Sequence, residues 1–368
     1  MNDMIKAERE KILARKSVRI LFMAGIFVII AYFFLFEFHY SSVFYNYETG
    51  KMDSVSGFEA IKQRKETAAV FEGELSQDKV LLMQEKLAEA EKATETGDEN
   101  SAFSARHVYR DQSAILEYLT NPDGSMKALE EAYPNHASVT LGYCDGWDKI
   151  LSGMGNVLAI LVCLIVVVAI SPVFAEEYSW HTDSIIYAAR YGRTKLVTAK
   201  VIAALETVLG IYVILLLLHV MLYAATYGLA GGNVSIQSSL HYASSTYNLT
   251  FLQAFGISAV LHIWGIIALT VITLFLSAKM NSPVSALIIS CFVCFAPVFF
   301  DFSDSAPLLQ KLQEICPIFM LHVNGIFMVM KTYMGVRQPV FMFGFNLALV
   351  FGFYLFTRRV AAKHQVAG

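Results

Sequence analysis

Long apolar runs alternate with polar stretches along this chain, and one polar stretch is far longer than the others. The runs are Ile20–Phe38, Leu151–Ala175, Val201–Tyr227, Phe251–Ser277, Val284–Phe300 and Val340–Thr357. At about 1.5 Å per residue, each is long enough to cross or nearly cross a hydrocarbon core of about 30 Å. The pattern predicts an all-α integral membrane protein with six transmembrane helices. A further apolar stretch, Ile315–Met330, is broken by Pro317, His322, Asn324 and Gly325. It is short for a span and suits a re-entrant pair of outer helices within 306–334, ahead of the last span.

Residues 39–150 change character, with no run able to cross a bilayer. Val80, Met83, Leu87 and Ala90 share one helical face, and Val108, Gln112, Ile115 and Leu119 share another. A polar break at 94–101 separates them, and Asn121-Pro122-Asp123-Gly124 stops the second with a turn. The expectation is a mainly helical insert built on a helical hairpin.

Composition agrees with a membrane protein: hydrophobic residues make up 56%, charged residues 16%, and the mean hydropathy is +0.50. Soluble domains carry roughly 45–50% apolar and about 25% charged residues. The net charge of −3 is uninformative until it is mapped. The insert holds twenty Asp and Glu against eleven Lys and Arg, which gives an acidic outer surface. Lys and Arg number fourteen in segments 1–19, 176–200, 278–283 and 358–368, against three in the other short segments. The positive-inside rule therefore predicts a multi-pass protein of the cell membrane with both termini cytoplasmic and the insert extracellular. Segment 1–19 has apolar spacing among its six cations and suits an amphipathic helix on anionic lipid.

The segment from Glu176 to Lys200 spans about twenty-five residues where about five would join two helices. Its Ile185, Ile186, Ala188 and Ala189 are followed by Arg190, Arg193 and Lys195, as in a short interfacial helix with a basic end. Glu177, His181-Thr182, Ile186, Ala189, Gly192-Arg193 and Lys200 fall at the spacings of a known pattern. That pattern is an acid, Gly-Thr, an aliphatic, Pro, a Ser/Gly-Arg pair, and Lys seven residues later. The segment resembles the loop between the second and third spans of type-2 ABC exporter permeases, with His181 in place of Gly and Ala189 in place of Pro. The resemblance implies a cytoplasmic coupling loop (Glu176, Glu177, Thr182, Arg190, Arg193, Lys200) that is pressed by two separate ABC ATPase subunits carrying ATP and Mg. It also implies a second permease copy or paralogue and a re-entrant hairpin before the last span. Glu176 or Glu177 would hold the loop against the inner ends of the first or last spans, and Arg193 and Lys200 would pair with acids or lipid phosphates. A large outer domain on such a permease resembles exporters of peptides, lipids or antibiotics in Gram-positive bacteria, and an acidic surface favours a cationic antimicrobial peptide.

The chain itself has no Gly-x-x-x-x-Gly-Lys-Ser/Thr phosphate loop, so it is read as a non-enzyme that binds no cofactor of its own, no metal and no nucleic acid. Glu206, His219 and His262 lie within apolar runs and are the candidates for a transport pathway. Cys291-x-x-Cys294 sits in an apolar run with no second ligand pair and reads as packing, while a Cys144–Cys316 disulfide is open on the outer side. Two other classes fit parts of the chain. A membrane-anchored sensor would explain the acidic insert but not six spans with a long inner loop. A secondary transporter would be expected to show two similar halves, and none is visible.

Overall fold

The computed structural model describes residues 1–38, 41–46, 51–95, 108–134, 138–300, 302 and 306–364. Residues 96–101 of the predicted polar break and the last four of the tail lie outside them. The chain is an all-α membrane protein with three small two-stranded ladders. Five helical stretches are long and apolar enough to cross a bilayer: Lys16–Phe38, Asp145–Ser179, Lys195–Thr226, Phe251–Lys279 and Gln338–Lys363. The predicted fifth span, Val284–Phe300, is instead the shorter apolar helix Pro283–Phe299, of 17 residues.

The boundaries differ from the apolar runs for identifiable reasons. The N-terminal segment is a helix, Asn2–Ala14, that turns at Arg15 straight into the first long helix at Lys16. The second stretch starts at Asp145 and runs to Ser179, broken at Ser171-Pro172. Proline has no N–H to give; the Ser277 hydroxyl of the fourth stretch accepts from the amides of Phe174 and Ala175 at 2.9 and 3.3 Å. The connector to the third stretch is thereby shortened to 180–194, with one helix, Asp183–Ala188, inside it. Thr250 and Gln253 form a reciprocal capping box that starts the fourth stretch.

Between Pro307 and Met328 there are only short helical pieces, Pro307–Glu314, Pro317–Met320 and Val323–Met328. The last two pack into the bundle, while Pro307–Glu314 lies on its surface. A Cβ on Gly265, fourteen residues into the fourth helix, would lie 3.0 Å from the Pro317 carbonyl, a depth of about 21 Å at about 1.5 Å per residue. Asn346 of the last helix donates to the Ile315 carbonyl at 3.0 Å. A tight hairpin, Thr332–Tyr333 with Val336–Arg337, leads into the last helix.

The insert is less purely helical than its sequence predicts. It contains the antiparallel ladder Ser41–Asn46 with Lys51–Ser56, a helix Phe58–Val70 with no clear periodic signature, and a short pairing of Gly73–Glu74 with Thr140–Leu141. The two predicted helices are present as Gln77–Glu95 and Arg110–Leu119, and Val80, Met83, Ile115 and Leu119 form one core. The second helix ends where Asn121–Gly124 turns, with Gly124 at φ +83°. The loop between the third and fourth stretches belongs to the same body. Ala243 enters the insert core, the Tyr133 hydroxyl donates to its carbonyl at 2.8 Å, and the Ser235 amide donates to the Thr140 carbonyl at 3.0 Å. Arg64, buried among these elements, bridges Asp111 and Asp145 at 2.5 and 2.9 Å. Cys144 and Cys316 are both free thiols, which removes the disulfide.

His241 of that loop places Nδ1 2.8 Å from an Asp148 carboxylate oxygen. The hydrogen bond and the charge of Asp148 raise the pKa of this half-exposed imidazole above its ordinary value. A raised folded-state pKa means the contribution is complete below about pH 6.5 and fades as the pH climbs through the raised value. The thermal midpoint of the purified protein is expected to fall between about pH 6 and 8 with a slope that His241→Asn flattens; a slope unchanged in that variant contradicts the assignment.

Candidate functional site

The residues singled out between Glu176 and Lys200 converge at one end of the bundle, and they do so around the N-terminal helix. Where the second stretch breaks at Pro172, the Arg15 guanidinium donates to two of its carbonyls, Ala169 at 3.2 Å and Pro172 at 3.4 Å. Two nitrogens of the same guanidinium, Nη2 and Nε, donate to one Glu176 carboxylate oxygen at 2.7 and 3.1 Å, a charge-assisted pair. Glu176 therefore ties the second stretch to the start of the first.

The next residue, Glu177, is almost fully buried and receives two ammonium groups, Lys200 at 2.6 Å and Lys11 at 2.5 Å. Lys200 is itself 2% exposed and also reaches Glu8 at 2.8 Å. Two acids and two lysines thus balance in a dry pocket, with the Lys200 ammonium 5.6 Å from the Phe174 ring centroid. A buried charge is tolerated only when paired in this way. Glu206 stands further along the third stretch and holds Arg9 at 2.9 Å, with both side chains partly exposed. Two of the four contacts, Glu8–Lys200 and Arg9–Glu206, fasten the N-terminal helix along the third stretch, Lys11–Glu177 ties it to the second, and Lys200–Glu177 joins the second to the third.

The rest of the connector is fastened to the last helix. Arg193 donates to the carbonyls of Ala362 and His364 at 2.8 and 3.0 Å, and its guanidinium lies 4.8 Å from the Tyr187 ring. His364 stacks on Tyr178 at 4.0 Å and meets Asp183 at 3.0 Å. The Thr182 amide and hydroxyl both donate to the Glu177 carbonyl, at 3.0 and 3.2 Å, which sets up the helix Asp183–Ala188. Of the six residues named for the coupling loop, Glu176, Glu177, Thr182, Arg193 and Lys200 are engaged in ties within the chain. The expected holding role of Glu176 and Glu177 takes the form of pairs with Arg15, Lys11 and Lys200. Arg190 alone among the six is exposed, 5.2 Å from the Tyr191 ring.

What the connector does present outward is apolar. Trp180 is 65% exposed and Ile185 75% exposed, flanked by His181, Ser184, Ala188, Arg190 and Lys195. A tryptophan and an isoleucine on a basic rim make a knob suited to a pocket on a folded partner. Sequence reading placed Ile185 on a membrane-facing stripe and passed over Trp180, because an isolated aromatic in a polar loop carries no periodic signal.

Three backbone details fix the loop's shape. His181 has φ +57°, a left-handed conformation that suits glycine and strains a residue with a Cβ. Ala189 has φ −70° and ψ 144°, the angles a proline ring imposes or favours. Gly192 lies so close to the preceding turn that a Cβ would fall 1.8 Å from the Ile186 carbonyl oxygen.

No family model, curated protein or solved structure matches this chain. The resemblance to permease loops therefore stands on these residues and their geometry. His181→Gly is expected to raise stability by up to about 1 kcal/mol, the left-handed cost relieved less the added chain entropy of glycine. Thermal unfolding reads this directly, and a lower midpoint contradicts the strain.

The pathway candidates do not converge. Glu206 is engaged with Arg9 near the inner knot. His219 lies thirteen residues further along the same helix, about 20 Å at about 1.5 Å per residue. There its ring packs on Gly153 and its Nε2 sits 3.1 Å from the Ile150 carbonyl. His262 is fully buried beside the Tyr212 ring, 5.8 Å between centroids. No group of three or more His, Cys, Asp or Glu able to hold a metal occurs among the described residues.

Proposed function

We propose that this chain is the permease subunit of an ABC exporter, crossing the cell membrane six times with both termini in the cytoplasm and the insert outside. On this reading the short helix Pro283–Phe299 is the fifth span, and residues 306–334 enter and leave the outer half of the membrane without crossing. The translocation path forms between this chain and a second permease, identical or paralogous. Two separate ATPase subunits bind ATP and Mg, close on one another, and push the connector 180–194. The cargo class is a peptide, lipid or antimicrobial compound, and the acidic outer body favours a cationic one.

The observation that carries this reading is the backbone of the connector. Where the chain departs from the family pattern, at His181 and Ala189, it keeps the angles of the glycine and proline it lacks, and Gly192 occupies a position that admits no side chain. The register of the loop is thus retained in shape as well as in letters. The ties to the N-terminal helix and to the last helix support the mechanical part. A push on Trp180 and Ile185 would move the first, third and last helices together, because Glu176, Lys200 and Arg193 hold all three.

Purification of the tagged chain from its own cells is expected to bring down a nucleotide-hydrolysing subunit. Trp180→Ala combined with Ile185→Asp should lower transport-stimulated ATP hydrolysis about tenfold or more while leaving the thermal midpoint in place, since both side chains are exposed. Full stimulation by that double variant removes the coupling role.

A further inference from the structure

A cavity of about 320 Å³ lies between the fourth stretch, the helix Pro283–Phe299, the helix Pro307–Glu314 and the last helix. Leu269, Ile272, Cys294, Leu312, Cys316 and Phe345 are among its walls, and every lining side chain is hydrocarbon, aromatic, proline or thiol. It has room for about ten waters at about 30 Å³ each, yet apolar cavities of this kind stay dry. Left empty, its walls forfeit dispersion contacts. A lipid chain recovers them without losing any hydrogen bond.

The mouth has the features of a lipid contact. The helix Pro307–Glu314 exposes Leu308, Leu309 and Leu312, and its neighbours Phe292 and Leu347 face outward as well. Gln313 pins that helix by donating to the carbonyls of Pro297 and Phe300 at the end of the short apolar helix. Lys311, next in sequence to the wall residue Leu312, is exposed and has no ion pair among the described residues. Nearby Lys331, by contrast, is paired with Glu314 at 2.6 Å. An exposed ammonium on the same helix that supplies a wall of an apolar slot complements a lipid with a chain to bury and a negative headgroup to hold.

We propose that this cavity is a binding site for one acyl chain of an anionic membrane phospholipid, whose phosphate is held by Lys311. The site is built by one protomer and is independent of any ATPase, so it stands or falls separately from the export reading.

The test is reconstitution of the full chain in nanodiscs containing a phosphatidylglycerol with a diazirine in its tail, followed by photolysis and peptide mapping. Peptides carrying Cys294 and Leu312–Ile318 are expected to label about tenfold above the lipid-facing surface of Met23 and Phe27. Leu312→Trp, at the half-exposed mouth, should remove the excess and leave the Met23 peptide unchanged. Lys311→Ala should lower labelling by the phosphatidylglycerol probe but not by a phosphatidylcholine probe. Labelling no higher in the cavity than at Met23, or unaffected by Leu312→Trp, overturns the site. Equal labelling by the two headgroups, insensitive to Lys311→Ala, overturns the anionic assignment.

Discussion

Replacing Lys200 with methionine is expected to cost about 3–5 kcal/mol, the range for stripping one partner from a buried ion pair. Lys200 is 2% exposed and serves both Glu177 and Glu8. Its removal leaves two carboxylates sharing Lys11, the more exposed of the two lysines. The N-terminal helix should loosen from the third stretch, and proteolysis near Arg15 should accelerate. A double variant, Lys200→Met with Glu8→Gln, restores the charge balance and should recover at least about 1 kcal/mol relative to the sum of the singles. Thermal unfolding in nanodiscs measures all four corners of the cycle. Strict additivity would mean that the two side chains do not share one dry pocket.

Gly192→Ala is the second large effect. The atoms a new Cβ would meet are the carbonyl oxygen and carbon of Ile186 and the Cα of Tyr187, at 1.8, 2.8 and 3.3 Å. All three are backbone, so no side chain can rotate away, and the connector itself must shift. We expect a loss of about 1–3 kcal/mol or more, together with a displacement of the exposed Trp180–Ile185 face. Gly210→Ala, in the middle of the third stretch with nothing within 4 Å of its Cβ, is the control. It should be neutral or stabilising by up to about 1 kcal/mol. Similar losses in both variants would show that the close approach at Gly192 is not what matters.

The apolar runs were legible because a bilayer demands about twenty such residues and the demand is local. The spacing of Glu177, Thr182, Gly192 and Lys200 is local too and can be read directly. The N-terminal clamp cannot. Lys11 and Glu177 are 166 residues apart, and no local spacing says which cations folding will bring to the carboxylate pair at 176–177. That is also why the second stretch was expected to stop at Ala175 when it runs on to Ser179. The helix Phe58–Val70 was missed on the same ground. Its buried face includes Arg64, which is acceptable only because Asp111 and Asp145 arrive from elsewhere. Distant pairing of charges leaves no period in a sequence.

The entry into the insert of the loop between the third and fourth stretches has a consequence for the order of synthesis. Residues 39–144 leave the ribosome well before Ser235, Leu240 and Ala243, yet those later residues close the insert's core and satisfy Thr140 and Asp111. The insert therefore cannot complete its core as it is made. That core stays partly open until the third stretch and the loop after it have been synthesised, so a translational pause or a chaperone acting before then would decide how much of it matures.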